Sequence, residues 1–212
     1  MESKLKNIDS IIFDLDGTLW DATKGVADSW SEVLSKYNFN KKEVSVNEIK
    51  GYMGLTLDEI GKRMMPDIEE SIRTKLLEEC GKFENKYLIQ KGAVIYDKVE
   101  DTLEELSKMY KLFIVSNCQD GYIESFLEFS NFDKYFIDFE CPGRTNLPKA
   151  DNIKLIIERN KLNSPIYVGD THLDGESARK ANIPFVYARY GFGKTEEYNH
   201  AINKIEELLD LE

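Results

Sequence analysis

Three cysteines in 212 residues, Cys80, Cys118 and Cys141, are too few and too widely spaced for a disulfide framework or a sulfur-held zinc. They read as reduced thiols. Basic residues are also in short supply, with 28 Lys and Arg against 39 Asp and Glu and a formal net charge of −11. A nucleic-acid partner needs a basic face, so none is expected. No apolar run approaches the roughly 18 residues that cross a bilayer. The opening Met-Glu-Ser-Lys-Leu-Lys-Asn lacks the apolar stretch of a signal peptide, so the expectation is a cytoplasmic protein with no membrane partner. Internal repeats and low-complexity tracts are absent too. What remains is the composition of a soluble globular protein, 42% apolar and 32% charged, long enough for one large domain or a domain with an insert.

Residues 8–14 (IDSIIFD) form a short β-branched run that ends in Asp-Leu-Asp-Gly-Thr, as a buried strand feeding a loop would. Residues 111–116 (KLFIVS), 165–169 (PIYVG) and 184–188 (PFVYA) repeat the design. Helix-like patterns precede them at 100–109, 152–159 and 175–182, with Leu103 and Leu106 on one face of the first and Ile153, Ile156 and Ile157 on one face of the second. Alternating strands and helices predict an α/β fold with a Rossmann-like parallel sheet covered on both faces.

Between the first strand and the rest the pattern changes. Trp30, Val33, Leu34 and Tyr37 form one helical stripe, and Ile72, Leu76, Leu77, Cys80, Phe83 and Tyr87 form another. Breaks at Gly51 to Gly54 and at Pro66 predict about four helices. The division is therefore a core of residues 1–19 and 91–212 and a helical cap of residues 20–90. That cap leaves from the C-terminal end of the first strand, where open α/β sheets bind ligands, and is placed as a lid.

Four polar elements sit at predicted strand ends and helix starts. Asp14 and Asp16 flank one residue and can aim two carboxylates at one place, where a hard cation such as Mg²⁺ would relieve their repulsion. An Asx turn or a helix N-cap would use the same residues. Asp170 and Asp174 follow the strand PIYVG and could hold the metal or cap a helix near Thr171. Ser116 and Asn117 end KLFIVS, as phosphate donors or as ordinary turn residues. Lys149 opens a helix, an unfavourable place for a cation unless it has another task.

In this order the elements resemble the haloacid dehalogenase superfamily. The DxDGT pattern is matched by Asp14, Asp16, Gly17 and Thr18, the serine by Ser116, the lysine by Lys149, and GDxxxD by Gly169, Asp170 and Asp174. The resemblance spans essentially the whole chain. The helical insert and residues 189–194 (RYGFGK) look like its phosphoglycolate phosphatase-like branch. It implies a Mg²⁺-dependent phosphatase that hydrolyses small phosphorylated metabolites through an aspartyl-phosphate. Asp14 would be the nucleophile and Asp16 the acid and base. Asp14, the Asp16 carbonyl and Asp170 would hold Mg²⁺. Ser116, the Asn117 amide and Lys149 would hold the phosphoryl group. Asp174 would orient Lys149 or a water on the metal, and Thr18 would support the first motif.

Alternatives within the resemblance are weaker. Dehalogenases lack the second acid that Asp16 supplies, and phosphonoacetaldehyde hydrolases carry a different cap sequence from Met53-Gly-Leu-Thr-Leu57. β-Phosphoglucomutase-like mutases use a cap histidine, and residues 21–90 contain none. A non-catalytic binding module should have lost the nucleophile or the acid, and both are present. Tyr52, Lys62 and Arg63 are the cap candidates for substrate recognition, against the alternative of a solvated helix face. Trp20 reads as hinge packing, His172 as rim and Cys118 as a small buried hydrophobe. Nothing in the pattern specifies the physiological ester or an oligomeric state.

Overall fold

The first apolar run becomes the central strand β1 (Ser10–Phe13), with all four residues buried. In the computed structural model, which describes residue 5 and residues 7–37 and 43–211, it lies at the middle of a six-stranded parallel sheet. Two further short strands, β2 (Trp20–Asp21) and β3 (Val94–Ile95), form a separate antiparallel ribbon. The remaining strands are β4 (Lys111–Val115), β5 (Phe136–Glu140), β6 (Pro165–Gly169), β7 (Phe185–Ala188) and β8 (His200–Ile202). Their order is β5-β4-β1-β6-β7-β8, so the chain builds outward on one side of β1 and then crosses to the other. Both neighbours of β1 thus direct their C-terminal ends at the loop that carries Asp14. Open α/β sheets bind ligands at this switch point.

Alternation along the strands divides the interior into two layers. Ile11, Phe13, Ile114 and Val168 face one side, and Ile12, Phe113, Val115 and Tyr167 the other. The helices α5 (Val99–Met109) and α6 (Tyr122–Ser130) cover the first layer through Leu103, Leu106, Ile123 and Phe126. A short α7 (Pro142–Thr145) leads to α8 (Lys149–Asn160), which with α9 (His172–Lys180) covers the second through Ile153, Ile156 and Ala178.

Between β2 and β3 the described residues form four helices, numbered ahead of these: α1 (Thr23–Ser35), α2 (Val46–Tyr52), α3 (Leu57–Met64) and α4 (Glu70–Lys91). Ser45 with Glu48 and Thr56 with Glu59 form reciprocal capping boxes that start α2 and α3. The ribbon pairs Trp20 with Ile95 where the chain leaves and re-enters the core. Trp20 is fully buried there, edge-on to Tyr122 at 5.7 Å and Phe126 at 5.1 Å. Gly92 ends α4 at φ +69°, and a Cβ on it would sit 2.0 Å from the Phe129 ring, so only glycine fits. Trp30, Val33, Leu34, Leu76 and Cys80 join the first core layer, so the inserted helices are packed on the sheet domain rather than hung from it.

Several sequence expectations need adjustment. The sequence pattern predicts none of β2, β3, β5 and β8; β5 is a sheet edge whose sequence FIDFE alternates with polar residues and is half-exposed. The helix predicted at 175–182 starts at His172, because Thr171 and Asp174 form a capping box. On α4 the apolar stripe is rotated: Ile72 is 48% exposed, while Arg73 and Glu84 are buried. Arg73 satisfies itself by donating to the Ile68 carbonyl at 2.9 Å. The cysteines are free, and no described helix is long and apolar enough to cross a membrane.

Candidate active site

Asp14 stands one residue past β1, where its N–H still continues the sheet ladder by donating to the Val168 carbonyl at 2.8 Å. The chain then turns at Gly17, φ +83°, and a Cβ there would lie 2.3 Å from Asp170 Oδ2. Glycine is needed twice over, for the turn and for the close approach of the loop after β6. Asp16 is turned the other way, its Oδ1 accepting from the Tyr122 hydroxyl at 2.9 Å. Thr18 is buried, with Oγ1 lacking a partner among the described residues, and its carbonyl accepts from Tyr190 at 2.9 Å.

Lys149 explains its position at the start of α8. Its Nζ reaches Asp14 Oδ1 at 2.7 Å and Asp174 Oδ1 at 2.5 Å, with the residue 4% exposed. Burial alone would lower the ammonium's pKa, but Asp14 and Asp174 more than offset it and hold the lysine charged. The two acids also compensate for the adverse helix dipole. The second oxygen of Asp174 accepts from the Thr171 N–H at 2.9 Å and hydroxyl at 2.7 Å, so that carboxylate is fully engaged.

Asp170 is different. Its Oδ2 accepts from the main-chain N–H groups of Phe192 at 2.6 Å and Gly193 at 3.2 Å, while its Oδ1 is buried with no partner among the described residues. Carboxylate oxygens of Asp14, Asp170 and Asp174 lie within 4.8 Å of one another. An orphaned buried oxygen beside a second carboxylate is the donor chemistry of a hard divalent cation, and these residues fit one. Asp174 is less suited to direct ligation, because Lys149 and Thr171 already occupy it.

Burial pushes the Asp14 carboxyl up to about 6 against the opposing pull of Lys149. Asp16 is driven well above the usual carboxylate range, first by burial and then by the charge of Asp14, with the Tyr122 hydrogen bond opposing. Ser116 is buried and its hydroxyl hydrogen-bonds Asp14. Asn117 instead turns its side chain toward the inserted helices, Nδ2 donating to the Gly54 carbonyl at 2.9 Å.

Above the acids lies a cavity of about 60 Å³. Asp14, Asp16, Ser116 and Asn117 form its floor, and Trp30, Tyr52, Leu55, Ile60 and Glu84 close it from α1 to α4 and the loop after α2. Tyr52 is thus placed at the cavity. Lys62 is not: it pairs with Asp58 at 2.6 Å on an exposed helix face. Arg63, one position on and turned by about 100°, lines a separate groove with Lys50, His172 and Phe192. Cys118 lines the cavity, its thiol raised by burial.

Sequence inspection missed Tyr122, Glu84, Gln119 and the amides of Phe192 and Gly193. Tyr122 lies 106 residues from Asp16 and carries no local signal. Glu84 had one, since it occupies the helical spacing of Leu77, Cys80 and Leu88 on the buried face of α4. Burial raises its carboxyl to about 7, opposed by hydrogen bonds from Gln119 and Trp30.

The sequence profile of the family described as haloacid dehalogenase-like hydrolase matches residues 11–188. The chain is similar to a phosphoglycolate phosphatase of Vibrio parahaemolyticus, at 28% identity over 92% of this chain and 87% of that protein. Similarity to a phosphoglycolate phosphatase of Aquifex aeolicus is also 28%, over 87% and 86%. The fold is that of a haloacid dehalogenase-like family protein from Streptococcus pneumoniae, with a TM-score of 0.79 at 23% identity over 96% and 97% of the two chains.

Proposed function

Since the chain belongs to the haloacid dehalogenase-like hydrolases, we propose that it is a phosphatase that hydrolyses small phosphate monoesters through an aspartyl-phosphate on Asp14. The observation that carries this reading is the bridge of Lys149 to both Asp14 and Asp174, which joins three of the four motifs in one buried site.

In the first half-reaction an Asp14 carboxylate oxygen attacks phosphorus and the ester P–O bond breaks. Asp16, held protonated by its surroundings, gives its proton to the departing alkoxide. In the second, water attacks the same phosphorus while Asp16 takes up its proton. The bond to Asp14 breaks, releasing phosphate. Lys149, Ser116 and the Asn117 amide hold the phosphoryl oxygens, and Asp174 keeps Lys149 in place through the Thr171 box. A Mg²⁺ ion held by Asp14, the Asp16 carbonyl and Asp170 would screen the negative charge of nucleophile and phosphate. Thr18 secures the turn that carries Asp14 and Asp16.

Residues 20–90 act as the cap in this reading. The helices exclude bulk water while the acyl phosphate forms, open to admit the hydrolytic water, and limit substrate size. Hydrolysis is favoured over mutase chemistry because both histidines, His172 and His200, lie outside the insert. The test is Asp14→Asn assayed on p-nitrophenyl phosphate with Mg²⁺. Turnover should fall to the level of a no-enzyme control, and near-wild-type turnover would refute the covalent route.

A further inference from the structure

We infer that the cap side of the cavity selects phosphate esters whose alcohol carries an ammonium group and turns away those carrying a carboxylate. The inference rests on the phosphatase reading and names its substrate class. Glu84 is the carboxylic acid that α1 to α4 contribute to the cavity, and it is 3% exposed. Its Oε1 accepts from Gln119 at 3.0 Å and its Oε2 from the Trp30 indole. An ionised carboxylate has about four acceptor sites, so each oxygen keeps capacity for a further donor.

The surroundings supply acidic side chains and ring faces. Asp14 and Asp16 lie on the floor, and the rings of Trp30, Tyr52 and Tyr122 line the walls. No Lys, Arg or His lines this cavity among the described residues. Lys149 is committed to Asp14 and Asp174, and Lys50 and Arg63 line an adjoining groove beside Phe192, on the other side of Met53 and Leu55.

A carboxylate on the leaving group would enter beside Glu84 and find no counter-charge there, so desolvation and like-charge repulsion both oppose it. An ammonium in the same place pairs with Glu84 and meets aromatic faces that attract a cation when water is excluded. Pairing also favours the ionised form of Glu84, which in the empty cavity titrates near neutrality. Phosphoglycolate, named for the curated relatives, bears the disfavoured end group.

The experiment compares three esters with the same two-carbon spacing, O-phosphoethanolamine, 2-hydroxyethyl phosphate and 2-phosphoglycolate, with p-nitrophenyl phosphate as the check on phosphatase activity itself. The expected order of kcat/KM is ammonium, hydroxyl, carboxylate, with the first roughly tenfold above the last. Glu84→Gln should collapse that ratio, and Glu84→Asp, which keeps the charge, should retain its direction. Phosphoglycolate equal or superior to phosphoethanolamine overturns the inference, as does an unchanged ratio in Glu84→Gln. Calorimetric binding of 2-aminoethylphosphonate against phosphonoacetate, with Mg²⁺ present, separates the two proposals. If the aryl phosphate is not hydrolysed, the phosphatase reading fails. Preference for the aminophosphonate would still support the selectivity of the cavity, and preference for phosphonoacetate would refute it.

Discussion

The two ends of the cavity are built on opposite principles. At the strand ends, Asp14, Lys149 and Asp174 form a closed ionic chain in which every charge has a partner within 2.7 Å, and Asp170 is tied to two main-chain amides. On the cap side, apolar and aromatic surface surrounds one acid, Glu84, and no positive charge answers it among the described residues. The first arrangement suits a group common to all substrates, the phosphoryl dianion. The second suits whatever distinguishes them. Asn117 links the ends, its backbone in the loop after β4 and its side chain on the Gly54 carbonyl.

If the strand-end residues alone carry the chemistry, Asp16→Asn should lower kcat for a poor leaving group by roughly 10²- to 10⁴-fold while KM changes little. Steady-state kinetics on an alkyl phosphate checks this, and turnover of that poor leaving group at the wild-type rate would refute its role as acid and base.

Asp170 and Asp174 should separate in stability. Asp174→Ala strips Lys149 of one partner and removes the α9 capping box, a loss of about 3–5 kcal/mol if it behaves as other broken buried pairs do. Asp170→Ala removes an acid whose pKa burial and the neighbouring acids already raise, so its melting temperature should match or exceed wild type while Mg²⁺ dependence is lost. Thermal melts and Mg²⁺ titrations of both variants decide the matter, and matching behaviour would merge two roles kept apart here.

The cap side gives a pH signature. The Glu84 carboxyl rises from its ordinary 4.5 to about 7 on folding, so the folded state holds the proton more tightly. Its contribution to stability is complete below about pH 4.5 and disappears as pH rises through 7. Glu84→Gln, neutral throughout, should therefore gain on wild type between pH 5 and 8, by up to about 3 kcal/mol. Denaturant melts at the two pH values measure the gap, and a constant gap would contradict the shift. The smallest expected effect is at the link. Asn117→Ala loses the bond to Gly54, about 1 kcal/mol, and should loosen the loop after α2, seen as faster amide exchange at residues 53–55 with α8 unaffected.

The same contrast explains what could be read in advance. The strand-end site is legible because each motif is local: a strand that stops, a glycine that turns, an acid or a lysine placed just beyond. The insert is legible as helices because periodicity changes from 2 to 3.6 after Asp21. Its role toward substrate is not, because it depends on which helix face looks inward. Lys62 and Arg63 are adjacent in sequence but point about 100° apart, one to solvent and one to a neighbouring groove. The helical spacing of Glu84 with Leu77, Cys80 and Leu88 puts it on the buried face of α4, but its place at the cavity depends on how α4 packs against α1 and Gln119. Tyr122 meets Asp16 only through the sheet order. The edge strand β5 has no unbroken apolar run because its edge is half-exposed, and β8 is only three residues long.

In the proposed reaction Asp14 carries the phosphoryl group. Rapid acid quench of Asp16→Asn protein with Mg²⁺ and a radiolabelled aryl phosphate, followed by peptide mapping, tests this directly. Label on the peptide bearing Asp14, released by hydroxylamine as an acyl phosphate should be, is the predicted result. Stoichiometric product release with no label on Asp14, or label on another residue, would contradict it.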